Sequence, residues 1–236
     1  MVTHTQDRPR LTPKGERTRA RIVDAAAQLI YERGVAGATL EDVKAAAAVS
    51  GSQLYHYFTD KDALVQAVID RQADALVSNQ ERADLGTAEG LRAWRDQVIA
   101  HAGDVDCQGG CPLGSLGSQL AETDAAARAR VSTGFGRWSA AISDGLRARH
   151  AAGQLAPGLA PDDFAVTLLA TVQGGLLMAQ VHRDTRPLET ALDTLLALAA
   201  APREAGGRDS RRHVQQGETS EVSGDLEDSL QDRATS

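Results

Sequence analysis

Cysteine is nearly absent: two residues in 236 exclude a disulfide-scaffolded secreted domain and fit a reducing cytosol. Aromatic residues make up only 3% and proline numbers seven. With Ala, Leu and Arg abundant, that composition leans helical. No convincing alternating run of β-branched residues occurs, so a strand-built fold is disfavoured. The first 14 residues hold no apolar core of a leader peptide, and none is expected. Bases are outnumbered, 25 Lys and Arg against 32 Asp and Glu for a formal charge of −7. A field of that sign disfavours indiscriminate coating of nucleic acid. Charge is missing altogether from residues 164–181, a run of 18 at the threshold for a membrane span. Thr167, Thr171, Gln173, Gln180 and the pair Gly174-Gly175 interrupt it. It is therefore read as a buried core or interface helix, and no membrane partner is expected.

What is present is helix after helix. Thr12-Pro13 opens a helix to Arg33 whose Ile22, Ala25, Ala26, Leu29 and Ile30 recur at helical spacing; Gly34 ends it. Thr39 with Asp42 three residues on resembles a capping box for a short second helix. Ser50 caps a third through Phe58, and Asp60 caps a fourth with the stripe Leu64, Val65, Val68, Ile69 and Leu76. Longer helices are predicted over 87–103, 113–120, 124–151, 162–182 and 188–200, with loops at 103–112 and 153–161. Past residue 202 the chain has eight acids, five bases and no aromatics, a composition that cannot bury enough apolar surface to order itself.

Three short helices within residues 14–58, the last two joined by a tight turn, make a helix-turn-helix. The run from Val49 through Ser50-Gly51-Ser52-Gln53-Leu54-Tyr55-His56-Tyr57-Phe58 to Leu64 closely resembles the signature of the TetR family of bacterial transcriptional regulators. The likeness reaches back through Thr39-Leu40-Glu41-Asp42-Val43, Gly34 and Ala25–Ile30, spanning roughly residues 16–70. Gly110-Cys111-Pro112-Leu113-Gly114-Ser115-Leu116 looks like one subgroup that responds to small molecules. One departure is Ala48, where the family commonly has glycine in the turn; a left-handed Ala costs about 1 kcal/mol or more.

The resemblance implies an all-α fold: an N-terminal three-helix DNA-binding domain and a larger helical ligand-binding and dimerisation domain. The divisions expected are a flexible basic arm (1–13), the helix-turn-helix (14–60), the larger domain (61–201) and a disordered acidic tail (202–236). It also implies operator contacts by Thr39, Ser50, Gly51, Ser52, Gln53, Tyr55, His56, Tyr57 and Lys61. Their chemistry agrees. Leu54 and Phe58 can pack inward with Leu40 and Val43, leaving the opposite face free. Gln53 has an amide suited to an adenine edge. Hydroxyls donate to phosphates and so set position rather than sequence. Lys61 sits where free helix N–H groups favour a phosphate. Residues 8–21 hold six bases against Glu16, an electrostatic arm for flanking DNA or a solvated helix face.

In the larger domain Trp94, His101, Phe135, Trp138, Gln173 and Met178 supply the bulk and polar handles of a ligand pocket. Leu168, Leu169, Val172, Gly175 and Leu176 are candidates for a dimer seam, since the family pairs through its last two helices. Cys107 and Cys111 lie in a Gly-rich loop where the thiols could meet, a possible redox switch. With His101 they fall short of a four-ligand zinc set, so no metal is expected. No nucleophile–base–orienter set or phosphate-cradling loop appears, and Asp162-Asp163 reads as a helix N-terminus. Neither catalysis nor a cofactor is expected. The sequence thus points to a cytoplasmic homodimeric repressor on a palindromic DNA operator, released by an apolar small-molecule effector. A ligand-independent or co-repressor-type regulator is the alternative, and an enzyme with helical fold a remote one.

Overall fold

The computed structural model describes residues 11–200. The first ten residues of the basic arm and the tail from 201 onward lie outside the described residues. Within them the chain forms α1 (Pro13–Gly37), α2 (Leu40–Ala46), α3 (Gly51–Tyr57), α4 (Lys61–Glu81), α5 (Ala88–Asp104), α6 (Pro112–Leu120), α7 (Ala125–Ala151), α8 (Pro161–His182) and α9 (Arg186–Ala199). The one β feature among the described residues is an isolated bridge between Leu155 and Ala200. Among the described residues, every helix start except those of α8 and α9 coincides with a side chain that accepts an orphan backbone N–H. Thr12, Thr39, Ser50, Asp60, Thr87, Cys111 and Asp124 each do so.

Two turns depart from the expected pattern. Gly34 does not end α1 but interrupts it, at φ 73° and ψ 169°, and one more turn follows to Gly37. That backbone region is open essentially to glycine alone. Ala48, by contrast, holds φ 50°, so the turn between α2 and α3 takes the left-handed form without glycine, at about 1 kcal/mol.

Ile22, Ala26, Leu29 and Ile30 of α1 are buried, as are Val43, Leu54 and Phe58. They give the first three helices an apolar centre, while α4 continues from it and packs along α7. In α8 the residues at helical spacing, Ala165, Leu168, Leu169, Val172, Gly175 and Ala179, are buried in the packing of α8 on α7 and α9. A Cβ on Gly175 would lie 2.6 Å from Leu188 Cδ1, so α8 and α9 meet there backbone to side chain. This corrects the expected dimer seam. Leu168, Leu169, Val172 and Gly175 face the chain's own interior and Leu176 is half-buried, because the register of α8 turns that stripe toward α7 and α9. The outward line is Val166, Leu177, Met178 and Val181. By length and composition alone α8 could cross a membrane; here its inner stripe is core. A forked pair, Arg95 to Asp193 at 2.8 and 2.7 Å, ties α5 to α9.

Candidate nucleic-acid interface

The geometry of α3 follows from two caps. Thr39 and Asp42 close a capping box at the start of α2: the Thr39 hydroxyl accepts from the Asp42 amide, and the Asp42 carboxylate accepts from Thr39. Those Thr39 hydrogen bonds hold the Asp42 carboxyl below its ordinary range, with the Arg33 guanidinium assisting. Ser50 and Gln53 close the equivalent box on α3: Ser50 Oγ accepts from the Gln53 amide at 3.2 Å and Gln53 Oε1 from the Ser50 amide at 2.9 Å. Ser50 Oγ also lies 3.0 Å from Ser52 Oγ. With the starts of α2 and α3 both set and Leu54 and Phe58 pinned inward, the remaining face of α3 is presented to solvent.

Ser52, Gln53, Tyr55 and His56 are exposed on that face, Tyr55 by 57%. Thr39 and Ser50 are exposed caps; Gly51, Tyr57 and Lys61 are half-buried. Tyr57 stands edge-on to His56 with ring centroids 4.9 Å apart and packs against the core. The adenine pose expected of Gln53 needs correction. Its carboxamide is turned back to Ser50, so a bidentate approach to adenine requires opening the box. With the box closed, Nε2 is the group it offers, as a donor.

The surrounding cations divide by partner. Arg33 pairs with Asp42, Lys44 with Glu41 and Arg71 with Asp24. Arg19 lies over the Phe58 ring, 5.2 Å from its centroid. Lys14, Arg17, Arg21 and Lys61 take part in no ion pair among the described residues. Lys14, Arg17 and Arg21 recur at three- and four-residue spacing, hence on one side of α1.

The expected pocket residues do not form one set. Trp94 and Trp138 are buried, while Phe135 and Gln173 are half-buried. His101 and Met178 are exposed, because the buried stripes of α5 (Leu91, Trp94, Ala102) and α8 pass beside them. Gln80, which sequence reasoning missed, is buried and accepts from Trp138 Nε1 at 3.3 Å. Its sequence signal is a polar residue within the apolar spacing of α4, three beyond Val77. The Nε2 groups of Gln80 and Gln173 are buried without a hydrogen-bond partner among the described residues. Cys107 and Cys111 are free and buried. Cys111 Sγ caps α6, accepting from the Gly114 amide at 3.4 Å, and burial pushes its thiol up.

Two family descriptions match the chain. "Bacterial regulatory proteins, tetR family" covers residues 22–68, and "Tetracyclin repressor-like, C-terminal domain" covers 87–195. A Lactococcus lactis regulator encoded in the lacX 3' region is 28% identical over 75% of this chain and 91% of its own. The repressor DhaR of Mycobacterium sp. strain GP1 is 26% identical over 74% and 88%. Among solved structures, Escherichia coli NemR in its reduced form superposes with a TM-score of 0.70 at 24% identity, over 79% of this chain and 100% of that one. A SmeT–triclosan complex superposes at 0.59 with 26% identity, over 80% and 93%.

Proposed function

Because this chain belongs to the TetR family of bacterial transcriptional regulators, we propose that it is a homodimeric cytoplasmic repressor. In this reading residues 14–60 read a palindromic operator. Residues 61–201 pair two copies and take up an apolar small molecule that releases the DNA. The observation that carries it is the outward face of α3. There Ser52, Gln53, Tyr55 and His56 project from a helix closed by a capping box at its start, with Lys14, Arg17, Arg21 and Lys61, in no ion pair among the described residues, on the same three-helix unit and at the start of α4. Base-reading donors flanked by phosphate-seeking cations are what specific major-groove binding requires.

A single helix-turn-helix spans few base pairs, so two half-sites call for two copies. Val166, Leu177, Val181 and Leu198 are between 59% and 72% exposed. Leaving each in water forgoes about 1.5–3 kcal/mol available on full burial. A groove of about 880 Å³ runs between α8 and α9 past Thr171, Met178, His182 and Leu198. These outward residues, rather than the inward stripe, support pairing with a second copy.

For the effector, the support is chemical. Trp94 and Trp138 are apolar bulk, and Gln80 and Gln173 hold buried amide donors without partners. An unpartnered donor of this kind suits a neutral, mostly apolar molecule carrying an acceptor atom, and one solved relative is a complex with triclosan. Its entry would shift the population toward a conformer whose two recognition helices no longer match the half-site spacing.

The test is selection of bound duplexes from a random pool, at two salt concentrations and with or without triclosan as probe. Enrichment of a palindrome, weakened by salt as phosphate contacts require, is the expected result. Failure to enrich any palindrome overturns the reading. Enrichment that no apolar ligand perturbs favours the ligand-independent alternative.

A further inference from the structure

The break in α1 has a partner 84 residues away. At Gly34 the backbone leaves the helical path, and the Val35 N–H donates to Gln119 Oε1 of α6 at 2.8 Å. A Cβ on residue 34 would stand 2.9 Å from that same oxygen, so glycine supplies both the conformation and the room. Gln119 is itself held from behind, its Nε2 donating to the carbonyl and hydroxyl of Ser115, each at 3.2 Å. One turn earlier in α1, Tyr31 Oη donates to the Gln108 carbonyl at 2.9 Å. Its ring lies over Gly109, where a Cβ would fall 1.9 Å from Cε2.

The same segment is also held by α8 and by Arg183, the residue that follows it. Arg183 donates to the Cys107 carbonyl at 3.2 Å, and the Gln180 and Gln173 carboxamides lie against Gly110 and Gly114. Residues 107–119 are therefore in contact both with α8 and its C-cap and with the C-terminal end of α1. The contacts on the α1 side are hydrogen bonds of definite direction, which a shift of about 1 Å breaks.

We infer that the Gln119–Val35 and Tyr31–Gln108 hydrogen bonds form a latch coupling the larger domain to the orientation of the DNA-reading helices, with Gln119 as its positioning residue. This rests on the DNA-binding reading above. Movement of α8 or α6 reaches α1 through these bonds, and α1 carries the three-helix unit. Coupling between two sites is reciprocal, so DNA bound at α3 must in turn steady residues 107–120. That reciprocity makes the latch testable before the natural effector is identified.

The experiment uses the full chain and a duplex selected from a random pool by the wild-type protein, and follows backbone hydrogen exchange. In the wild type, the duplex slows exchange both in α1–α3 and at residues 107–120. Gln119→Ala still binds the duplex, but the slowing at 107–120 is lost. Gln119→Met, which fills the same space without an acceptor for the Val35 N–H, loses it as well; were the side chain merely space-filling, Met would retain it. Wild-type slowing in Gln119→Ala overturns the latch. Should Gln119→Ala fail to fold, Tyr31→Phe keeps the ring over Gly109 and removes only the hydroxyl bond. The slowing around Gln108 is then lost, and its full persistence overturns the latch equally. If the wild type enriches no duplex, the DNA-binding reading fails first and the latch falls with it. Selection thus tests the reading, and exchange tests the latch.

Discussion

Gln53 shows how one side chain can serve both helix and ligand. Its Oε1 completes the α3 capping box, which leaves Nε2 as the donor it would offer to a base in the proposed reading. Gln53→Glu preserves the box, since a carboxylate accepts the Ser50 N–H equally well, but removes the donor. It should abolish base preference at one position of each half-site while α3 keeps its stability. The added charge weakens binding to all duplexes alike, so the measurement that matters is the selected sequence. Gln53→Ala should lose both the preference and part of the helix stability. Identical base preferences in the wild type and Gln53→Glu would refute the donor role. Ala48 poses a simpler backbone question. With φ at 50°, Ala48→Gly should stabilise the protein by about 1 kcal/mol, read as a rise in Tm; an unchanged or lower Tm would refute the strained-turn account.

At the scale of the element, caps and stripes made most helices legible. Thr12-Pro13, Thr39, Ser50, Asp60 and Asp124 each mark a helix start, because an orphan N–H is satisfied locally by a residue close in sequence. What was illegible was the direction each face takes. Leu168, Leu169, Val172 and Gly175 are an apolar stripe whichever surface covers them, and periodicity cannot distinguish the chain's own core from a second copy. Gly175→Ala separates the two. Its Cβ would meet Leu188 at 2.6 Å from Cδ1 and 3.0 Å from Cα, and overpacking of this kind costs about 1–3 kcal/mol. The expected outcome is a Tm loss of the same size at every protein concentration. A Tm loss that vanishes at high protein concentration would return Gly175 to an interface between copies. The same limit explains His101 and Met178, which shared composition with the pocket candidates but not their helical face.

At the scale of the whole molecule, charge and apolar surface are both distributed unevenly. Residues 1–62 carry nine bases and eight acids, 63–199 eleven and sixteen, and 200–236 five and eight. The acidity thus belongs to residues 63–236 and not to the stretch that carries α3; in the proposed reading this would keep nonspecific DNA binding weak. The exposed apolar line of α8 yields the assembly prediction. Leu177→Glu with Val181→Glu should leave the fold intact by circular dichroism, make the protein monomeric by light scattering, and sharply weaken binding to a palindrome. A dimer unaffected by both substitutions would place the pairing surface elsewhere. Short-range facts were determined by the sequence alone: helix starts, the helix-turn-helix, the residues of its outward face and the family resemblance. They depend on neighbours within about one helical turn, where spacing and chemistry are read directly. The inward turn of the α8 stripe, the Gln80–Trp138 pair and the bond from Gln119 to the break at Gly34 were decided only by the tertiary structure. Each joins residues many turns apart, and only the packing of whole helices selects which of several compatible faces meet.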